Sequence, residues 1–402
     1  MRRNELDYIL NTLLDFNKDV SDILLTVDKP LQVEVSGQLM PVPVNPVIER
    51  LTPFHTEMIA LNLIAGSQRL AEDLQRTGSC DASYALGDRA RFRVNLFSQR
   101  GSYSIVLRKL NAQIPNLEDL HLPNVILEAA KEKTGLVLVT GATGSGKTTT
   151  LAAVLNDINS RLPIHIVTLE DPIEFVYAQN RATINQRELG TDFDSFATGL
   201  RAALRQAPKV ILVGEMRDRA TVEIALSAAE TGHLVFSTLH TIDAGQTINR
   251  ILGMFETEEQ EQVRYRLADT IRWIISQRLA PRIGGGRFPV VEVMGSNLRT
   301  KESVVLGESE GKSFYEIIEA SQTFGWRTFD YSCLEAFKSK IITEETALMY
   351  CSKRGVVTRG IDNLKKERGE STSNISDLRM TAAQELQRHA KPPAPPAILK
   401  MK

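Results

Sequence analysis

The sequence has little of what marks several classes of protein. Its three cysteines, Cys80, Cys333 and Cys351, stand far apart in 402 residues and form no Cys-x-x-Cys pair. This argues against a disulfide framework or a cysteine-based zinc site and suits a reducing compartment. No stretch approaches the roughly 18 apolar residues that a membrane span requires. We therefore expect a cytoplasmic protein with no direct membrane insertion.

Charge and aromatic content are also unremarkable. The formal net charge is −1 and aromatic residues make up 6% of the chain, so no overall attraction to nucleic acid is expected. A nucleic-acid translocase would need a basic stripe with aromatic platforms. We predict no nucleic-acid partner and keep a translocase as the alternative from a different class. The length is enough for two or three domains.

The most informative motif is the run from Gly141 to Thr148, which fits the phosphate-binding pattern G-x-x-x-x-G-K-[ST] at every fixed position. Its glycines let backbone N–H groups point at phosphate oxygens, and the helix that follows adds positive potential. In this loop Lys147 neutralises the β and γ phosphates, and the Thr148 hydroxyl holds Mg²⁺. The motif therefore predicts binding of a nucleoside triphosphate. The predicted binding residues are Gly141, Ala142, Thr143, Gly144, Ser145, Gly146, Lys147, Thr148 and Thr149.

Two kinds of pattern divide the chain, and together they indicate an α/β fold class. Residues 1–112 combine helix-spaced leucines with short strands, which indicates an α+β domain, and 113–124 are interpreted as a linker. In 125–290 buried strands alternate with helices, as in a parallel sheet with crossover helices. Helical patterns dominate 291–364. The segment 365–402 carries few apolar side chains and is predicted to be disordered.

Some assignments of secondary structure are specific enough to test. One helix is predicted near 55–75, a pair of helices over 257–275, and a short helix near 382–388. The buried core strands share a high content of apolar residues. They are predicted at 135–140, 164–169, 210–213 and 234–239.

A carboxylate follows the apolar strand 210–213. Glu215 stands there after Gly214, where a Walker B motif would have an aspartate. Ligand chemistry gathers at the carboxyl ends of parallel strands, so Glu215 is the leading candidate for water activation or Mg²⁺ support. The structural alternative is a loop carboxylate paired with Arg217.

A second acidic segment follows the strand 164–169. It contains Glu170, Asp171 and Glu174, with Pro172 between them. Three carboxylates directly after a buried strand are unusual for a solvated surface. Two of them can still be structural, so the division of roles among them stays open.

Two histidines bracket the strand 234–239. His240 follows its carboxyl end and shares an edge with the P-loop, where an imidazole can donate a hydrogen bond to a γ-phosphate. His233 precedes the strand, so geometry alone favours a structural role or a place at a subunit boundary.

Arginines alternate along the segment 90–97. Arg91, Arg93 and Asn95 share one face, and Arg108 lies on the neighbouring predicted strand. The simpler interpretation is a solvated strand face. The functional interpretation is a set of arginine fingers for a nucleotide in an adjacent subunit, because a linker separates this domain from the P-loop.

Together these motifs resemble the ring-forming ATPases of type IV pilus and type II secretion machines, most strongly the pilus retraction (twitching motility) branch of the PilT/PilU type. The resemblance covers about residues 5–360. Besides the P-loop, 168–175 looks like the family's Asp box, 210–218 like its atypical Walker B segment, and 232–241 like its His box. It implies a PAS-like N-terminal domain, a RecA-like P-loop ATPase domain with a helical C-terminal part, and a homo-hexamer with ATP at subunit interfaces.

The resemblance also implies roles for individual residues. Glu174 matches the functional acid of the Asp box, and Glu215 matches the catalytic base. Both histidines of the His box are implicated, and two arginines best match those that serve the nucleotide site. The candidate catalytic residues are Glu215, Glu174, His240, His233, Arg93 and Arg108, and the candidate Mg²⁺ ligands are Thr148 and Glu215.

The implied function is ATP hydrolysis that powers pilus retraction, with pilin depolymerisation and twitching motility. The implied partner is an inner-membrane platform protein, with the ring docked peripherally at the pilus base. Retraction motors carry the motif Ala-Ile-Arg-Asn-Leu-Ile, of which 296–306 keep only part. An accessory retraction paralogue therefore remains an alternative. A pilus-assembly or type II secretion ATPase also remains, although such proteins usually carry a tetracysteine insert that is not found here.

Overall fold

The structure is a computed structural model that describes residues 2–87, 89–110 and 113–370. The short helix predicted near 382–388 and most of the predicted disordered tail lie outside these residues. The N-terminal domain contains α1 (Arg3–Phe16), β1 (Val20–Leu25), β2 (Gln32–Val35), β3 (Gln38–Pro41), α2 (Pro53–Ile64), α3 (Gln68–Thr77), β4 (Ser79–Leu86), β5 (Ala90–Gln99) and β6 (Ser102–Leu110). Its strands form one sheet in the order β3-β2-β1-β6-β5-β4.

The N-terminal core forms because its elements each have one apolar face. The leucines of α1 recur at helical spacing and are buried, as are Phe92, Val94 and Leu96 of β5. Arg91 and Arg93 lie on the opposite face of β5, where Arg91 is partly exposed and Arg93 is exposed. The predicted alternation along this strand is confirmed, so its polar face is available to a site outside the domain.

The prediction of one helix near 55–75 was wrong, because the chain forms two helices there. Ala65 and Gly66 adopt left-handed backbone angles, with φ of 50° and 77°, which end α2. The Ser67 hydroxyl then accepts a hydrogen bond from the backbone N–H of Leu70 and caps α3. Local capping therefore overrides the continuous helical periodicity.

The ATPase core contains α4 (Ile126–Ala129), β7 (Gly135–Thr140), α5 (Lys147–Arg161), β8 (His165–Glu170), β9 (Thr183–Glu188), α6 (Phe196–Ala203), β10 (Val210–Val213), α7 (Arg219–Glu230), β11 (Leu234–Leu239), α8 (Ala244–Leu252), α9 (Thr257–Thr270), β12 (Ile271–Pro281) and β13 (Arg287–Gly295). The sheet order is β13-β12-β7-β11-β10-β8-β9. All four predicted core strands are present and pair in parallel, with β7 beside β11 and β10 between β11 and β8. Their carboxyl ends consequently meet at one edge, where the P-loop lies.

The prediction of a helix pair over 257–275 was wrong in its second part, because α9 ends at Thr270 and the strand β12 begins at Ile271. Val263, Leu267 and Ile271 continue a helical spacing, and no glycine or proline separates helix from strand. Pairing decides the outcome, because β12 runs parallel to β7 and antiparallel to β13. Strand formation here depends on a partner distant in sequence.

The helical C-terminal region follows β13. It contains α10 (Leu298–Leu306), α11 (Phe314–Ala320), a 3-10 helix (Gln322–Phe324), α12 (Phe329–Lys338), α13 (Glu344–Tyr350) and α14 (Arg354–Glu367). Thus α14 continues three residues beyond the predicted boundary at residue 364. Within the described ranges, the helices are all too short or too polar to cross a membrane.

Candidate active site

The phosphate-binding loop connects β7 to α5 in a conformation that requires glycine. Gly141 and Gly146 have φ angles of 146° and 90°. A Cβ at Gly141 would lie 2.4 Å from the backbone oxygen of Gln277, and one at Gly146 would lie 2.7 Å from its Nε2. Both positions therefore need glycine for backbone angle and for space. The loop is shaped by its neighbour in the sheet as well as by its own motif.

Lys147 is the first residue of α5 and is 8% exposed. Its Nζ donates to the backbone oxygens of Gly141 and Ala142 at 2.8 and 3.1 Å. Burial lowers the pKa of Lys147, while the negative charges of Glu215 and Glu174 raise it. The ammonium is thus held inside the loop, with two carboxylates close enough to support its charge.

A cavity of about 510 Å³ opens beside this loop, within the size range of small-molecule sites. It brings together residues from both domains that are far apart in sequence. Its lining includes Arg93, Thr143, Gly144, Ser145, Gly146, Lys147, Thr148, Thr149, Glu170, Asp171, Glu174, Glu215, Arg217, His240 and Arg287. The structure thus brings most of the predicted site residues to one place.

Glu215 lies in the cavity and also forms the ion pair that the structural alternative predicted. Its Oε2 is 2.9 Å from Arg217 Nη2 and 3.5 Å from His240 Nε2. This carboxylate is mostly shielded from solvent, whereas both partners are substantially exposed. A carboxylate that can accept a proton, a guanidinium and an imidazole therefore lie together at the carboxyl ends of β10 and β11.

The three carboxylates of the acidic segment all line the cavity but differ in burial. Glu170 is buried and accepts hydrogen bonds from Thr168 Oγ1 at 2.6 Å and from Gln186 Nε2 at 3.0 Å. Burial raises the pKa of Glu170, and those two hydrogen bonds oppose the shift. Glu174 is less buried and lines the cavity. This geometry favours Glu174 for contact with a ligand and a structural role for Glu170.

Two predicted site residues lie elsewhere. His233 and Arg108 are not among the described residues that line the cavity. His233 precedes the opposite end of β11, where its Nδ1 is 3.0 Å from the backbone oxygen of Ala228. Arg108 pairs with Asp22 through Nε at 2.9 Å. Arg108 is nevertheless directly opposite Arg93 in the strand register.

Arg93 lines the cavity of its own chain, whereas the functional interpretation of its strand placed it at the nucleotide of an adjacent subunit. The N-terminal sheet reaches the core through Arg91 Nη2 and Ser83 Oγ, which both donate to the Glu188 carboxylate. Arg93 shares a face with Arg91 because the two are separated by two positions along β5. The linker therefore does not keep this strand away from the P-loop.

Two residues that β12 and β13 bring to the site were not predicted from the sequence. Gln277 of β12 accepts from Thr150 Oγ1 at 2.8 Å and donates to the backbone oxygen of Ser145 at 2.7 Å. Arg287, at the start of β13, lines the cavity. The predicted helix pair ended at residue 275, so no element was assigned to Gln277, and its polar neighbours Ser276 and Arg278 did not mark it as buried.

Comparison with known proteins gives consistent results. The profile of the family described as type II/IV secretion system protein matches residues 66–387. The type IV pilus retraction ATPase PilT of Pseudomonas aeruginosa is 37% identical over 84% of this chain and 96% of its own. A twitching motility protein of Neisseria gonorrhoeae is 42% identical over 68% of this chain and 73% of its own.

Solved structures show the same architecture. A crystal structure of the pilus retraction motor PilT with bound ADP superposes with a TM-score of 0.78 at 41% identity, covering 88% of this chain and 99% of that one. The Legionella pneumophila ATPase DotB gives a TM-score of 0.76 at 28% identity, covering 87% and 95%. The fold class and the resemblance proposed from the sequence are thus confirmed. The chain belongs to the type II/IV secretion system protein family.

Proposed function

We propose that this chain is a motor ATPase that hydrolyses ATP to power retraction of a type IV pilus. The observation that carries the proposal is the convergence of Lys147, Glu174, Glu215 and Arg93 on one cavity. The chain also resembles PilT along nearly the whole length of that protein. Hydrolysis of a triphosphate needs cations for the phosphates, an acceptor for the proton of water, and exclusion of bulk solvent. This cavity offers the first two directly.

Each side chain has a defined task in this proposal. Lys147 exchanges the loop carbonyl oxygens for phosphate oxygens, and Arg93 opposes the charge that develops on the γ-phosphate. Glu215 orients the attacking water and accepts its proton. His240 lies 3.5 Å from Glu215 and is placed to donate a hydrogen bond to the same phosphate. Glu174 supports the charge of Lys147 across the cavity.

The residues fit Mg²⁺ as the cation that accompanies the nucleotide. The hydroxyl of Thr148 and the carboxylate of Glu215 are hard oxygen ligands at the cavity. In the part of the chain that the structure describes, no group of three or more His, Cys, Asp or Glu side chains is arranged to hold a metal alone. This suits an ion that takes most of its ligands from phosphates and water. When bound, Mg²⁺ neutralises phosphate charge.

Similarity to the pilus retraction ATPases supports a proposal for the assembly and its partner. We propose a homo-hexamer docked peripherally on an inner-membrane platform protein. The proposed ATPase core runs to residue 295 rather than 290, because β13 belongs to its sheet, and the helical part runs to residue 367. An accessory retraction role remains the second candidate. The family motif Ala-Ile-Arg-Asn-Leu-Ile is only partly kept in 296–306, and the exposed Leu298 and Leu306 lie there. His233 and Arg108 keep their proposed roles only if assembly or closure brings them to a nucleotide.

Steady-state ATPase assays test the site. We expect Lys147→Ala and Glu215→Gln to lower kcat/KM by about 10²-fold or more, since each removes a charge that acts directly on the reacting groups. Lys131→Ala and Glu128→Gln remove a lysine and a glutamate of an exposed ion pair and serve as matched controls. Parental rates in Lys147→Ala or Glu215→Gln would refute the assignment.

Deletion of the gene in the source bacterium tests the biological role. Cells with excess pili and no twitching indicate retraction, and cells without pili indicate assembly, which would contradict the proposal. Twitching that persists at reduced force identifies an accessory motor.

A further inference from the structure

A buried carboxylate outside the nucleotide cavity connects the two domains. Glu188 ends β9 and pairs in register with Glu170 of the neighbouring strand. It is 6% exposed. It lines a second cavity, of about 810 Å³, between the N-terminal sheet and the core. The proposed hydrolysis does not assign a role to it.

Donors from both domains converge on this carboxylate. From the N-terminal sheet, Ser83 Oγ of β4 donates to Oε1 and Arg91 Nη2 of β5 donates to Oε2. From the core, the backbone N–H of Ile173 donates to Oε2 at 3.0 Å. The backbone N–H of Glu188 is itself bound to Asp192 Oδ2 at 2.7 Å. The backbone of Glu188 is thus held by the segment that follows β9, while its carboxylate binds β4, β5 and the loop that contains Ile173.

Each of these donors stands beside a residue of the proposed site. Arg93 follows Arg91 by two positions and extends from the same face of β5. Glu174 directly follows Ile173 in the acidic segment. Arg93 and Glu174 both line the nucleotide cavity. One buried carboxylate is therefore bonded to the near neighbours of two groups that contribute to the cavity from different domains.

We propose that Glu188 is a positioning residue for ATP hydrolysis, whose carboxylate holds the strand that carries Arg93 against the loop that carries Glu174. The inference rests on the proposed roles of Arg93 and Glu174. Charge-assisted hydrogen bonds to a buried carboxylate are strong and directional, and they suit this task. Lys147 and the P-loop contact the nucleotide independently of this junction, so its loss should reduce kcat more than it weakens ATP binding.

The test compares Glu188→Gln, Arg93→Ala and the double variant in the full chain. The glutamine keeps the size of the side chain but removes the charge that Arg91 needs. We expect Glu188→Gln to lower kcat about tenfold with KM for ATP within about twofold, since small displacements of catalytic groups cost one to two orders of magnitude. The double variant should be within about twofold of Arg93→Ala alone, because residues that act through one another are not additive.

Asp330→Asn is the matched control. Asp330 is also buried, and it accepts hydrogen bonds from Tyr315 Oη at 2.8 Å and from the backbone N–H of Ser352 at 2.6 Å. It belongs to the helical C-terminal region rather than to the domain junction. We expect it to lower Tm, and its effect on kcat to multiply with that of Arg93→Ala. This separates general destabilisation from positioning.

The outcomes distinguish the inference from the proposed function. An unchanged kcat in Glu188→Gln, or an effect that multiplies with Arg93→Ala as the control does, would overturn the positioning role alone. A parental kcat in Arg93→Ala would refute the assignment of Arg93 and, with it, the positioning role. If Glu188→Gln does not accumulate as folded protein, Ser83→Ala and Arg91→Lys weaken the same junction. They must then show the same coupling to Arg93→Ala, and its absence also overturns the inference.

Discussion

Replacing Gln277 with leucine tests whether the phosphate-binding loop depends on a strand that is distant in sequence. Gln277 is 3% exposed, and its amide joins the first turn of α5 to the loop. It accepts from Thr150 Oγ1 at 2.8 Å and donates to the backbone oxygen of Ser145 at 2.7 Å. Leucine has a similar volume but makes neither hydrogen bond. The Thr150 hydroxyl and the Ser145 carbonyl then lose their partners in a dry environment.

The expected magnitude follows from those two groups. A buried polar group left without a partner costs about 1–3 kcal/mol, and the added apolar burial of leucine offsets part of this cost. We expect the free energy of unfolding to fall by about 2–4 kcal/mol. For a domain of 150–250 residues this corresponds to a decrease in Tm of about 5–15 °C. KM for ATP should rise too, because the Ser145 peptide belongs to the phosphate-binding loop.

Thermal unfolding followed by circular dichroism, with and without ADP, measures the effect, and ATPase assays give KM. Thr150→Val is the comparison, since it removes one of the two hydrogen bonds and should show about half the loss. In the double variant the two effects should fall short of additive, because they share a bond. A Tm within about 1 °C of the parent together with an unchanged KM would refute the dependence of the loop on β12.

Two further predictions concern the buried carboxyl group of Glu292 and the question of which subunit supplies Arg93 to a nucleotide site. Burial raises the pKa of Glu292 from 4.5 to about 7, so the folded state binds its proton more tightly than the unfolded state does, and this group lowers stability as pH rises from about 4.5 to about 7. Over that range the parent should therefore lose up to about 3 kcal/mol of unfolding free energy relative to Glu292→Gln, which has no proton to release there. Denaturant titrations measure this, and a difference between the two proteins that does not change with pH would contradict it. Because Arg93 lines the cavity of its own chain, mixing Arg93→Ala subunits with Lys147→Ala subunits should restore no ATPase activity. Recovery in the mixture would show instead that the arginine serves a neighbouring subunit.

Much of the core could be predicted because its signals are local. The P-loop motif, the flanking strand and the helix that follows are encoded in one short stretch, Gly135–Arg161. The alternation along β5 likewise reports its buried face without reference to any partner. Carboxylates directly after β8 and β10 could be assigned to the site, because parallel strands end at a common edge.

The errors occurred where a distant partner decides the structure. The first five residues of β12 were predicted as helix because Ile271 continues the spacing of α9, and only pairing with β7 and β13 makes the segment a strand. Gln277 and Arg287 lie beyond that predicted helix, and only the pairing of β12 and β13 with the sheet brings them to the site. The break between α2 and α3 was missed because a left-handed turn at Ala65 interrupts a pattern that remains helical on both sides.

The sequence by itself determined that the chain binds a triphosphate, which strands form the centre of the sheet, and which acids follow them. These properties depend on short-range geometry: backbone freedom at glycine, strand alternation and strand ends. Only the tertiary structure decided which carboxylate of the acidic segment is buried, that Arg93 lines the same cavity as the P-loop of its own chain, and that Glu188 joins the two domains. The junction between the domains depends on hydrogen bonds between residues about 100 positions apart, such as Ser83 and Glu188. No local pattern encodes them.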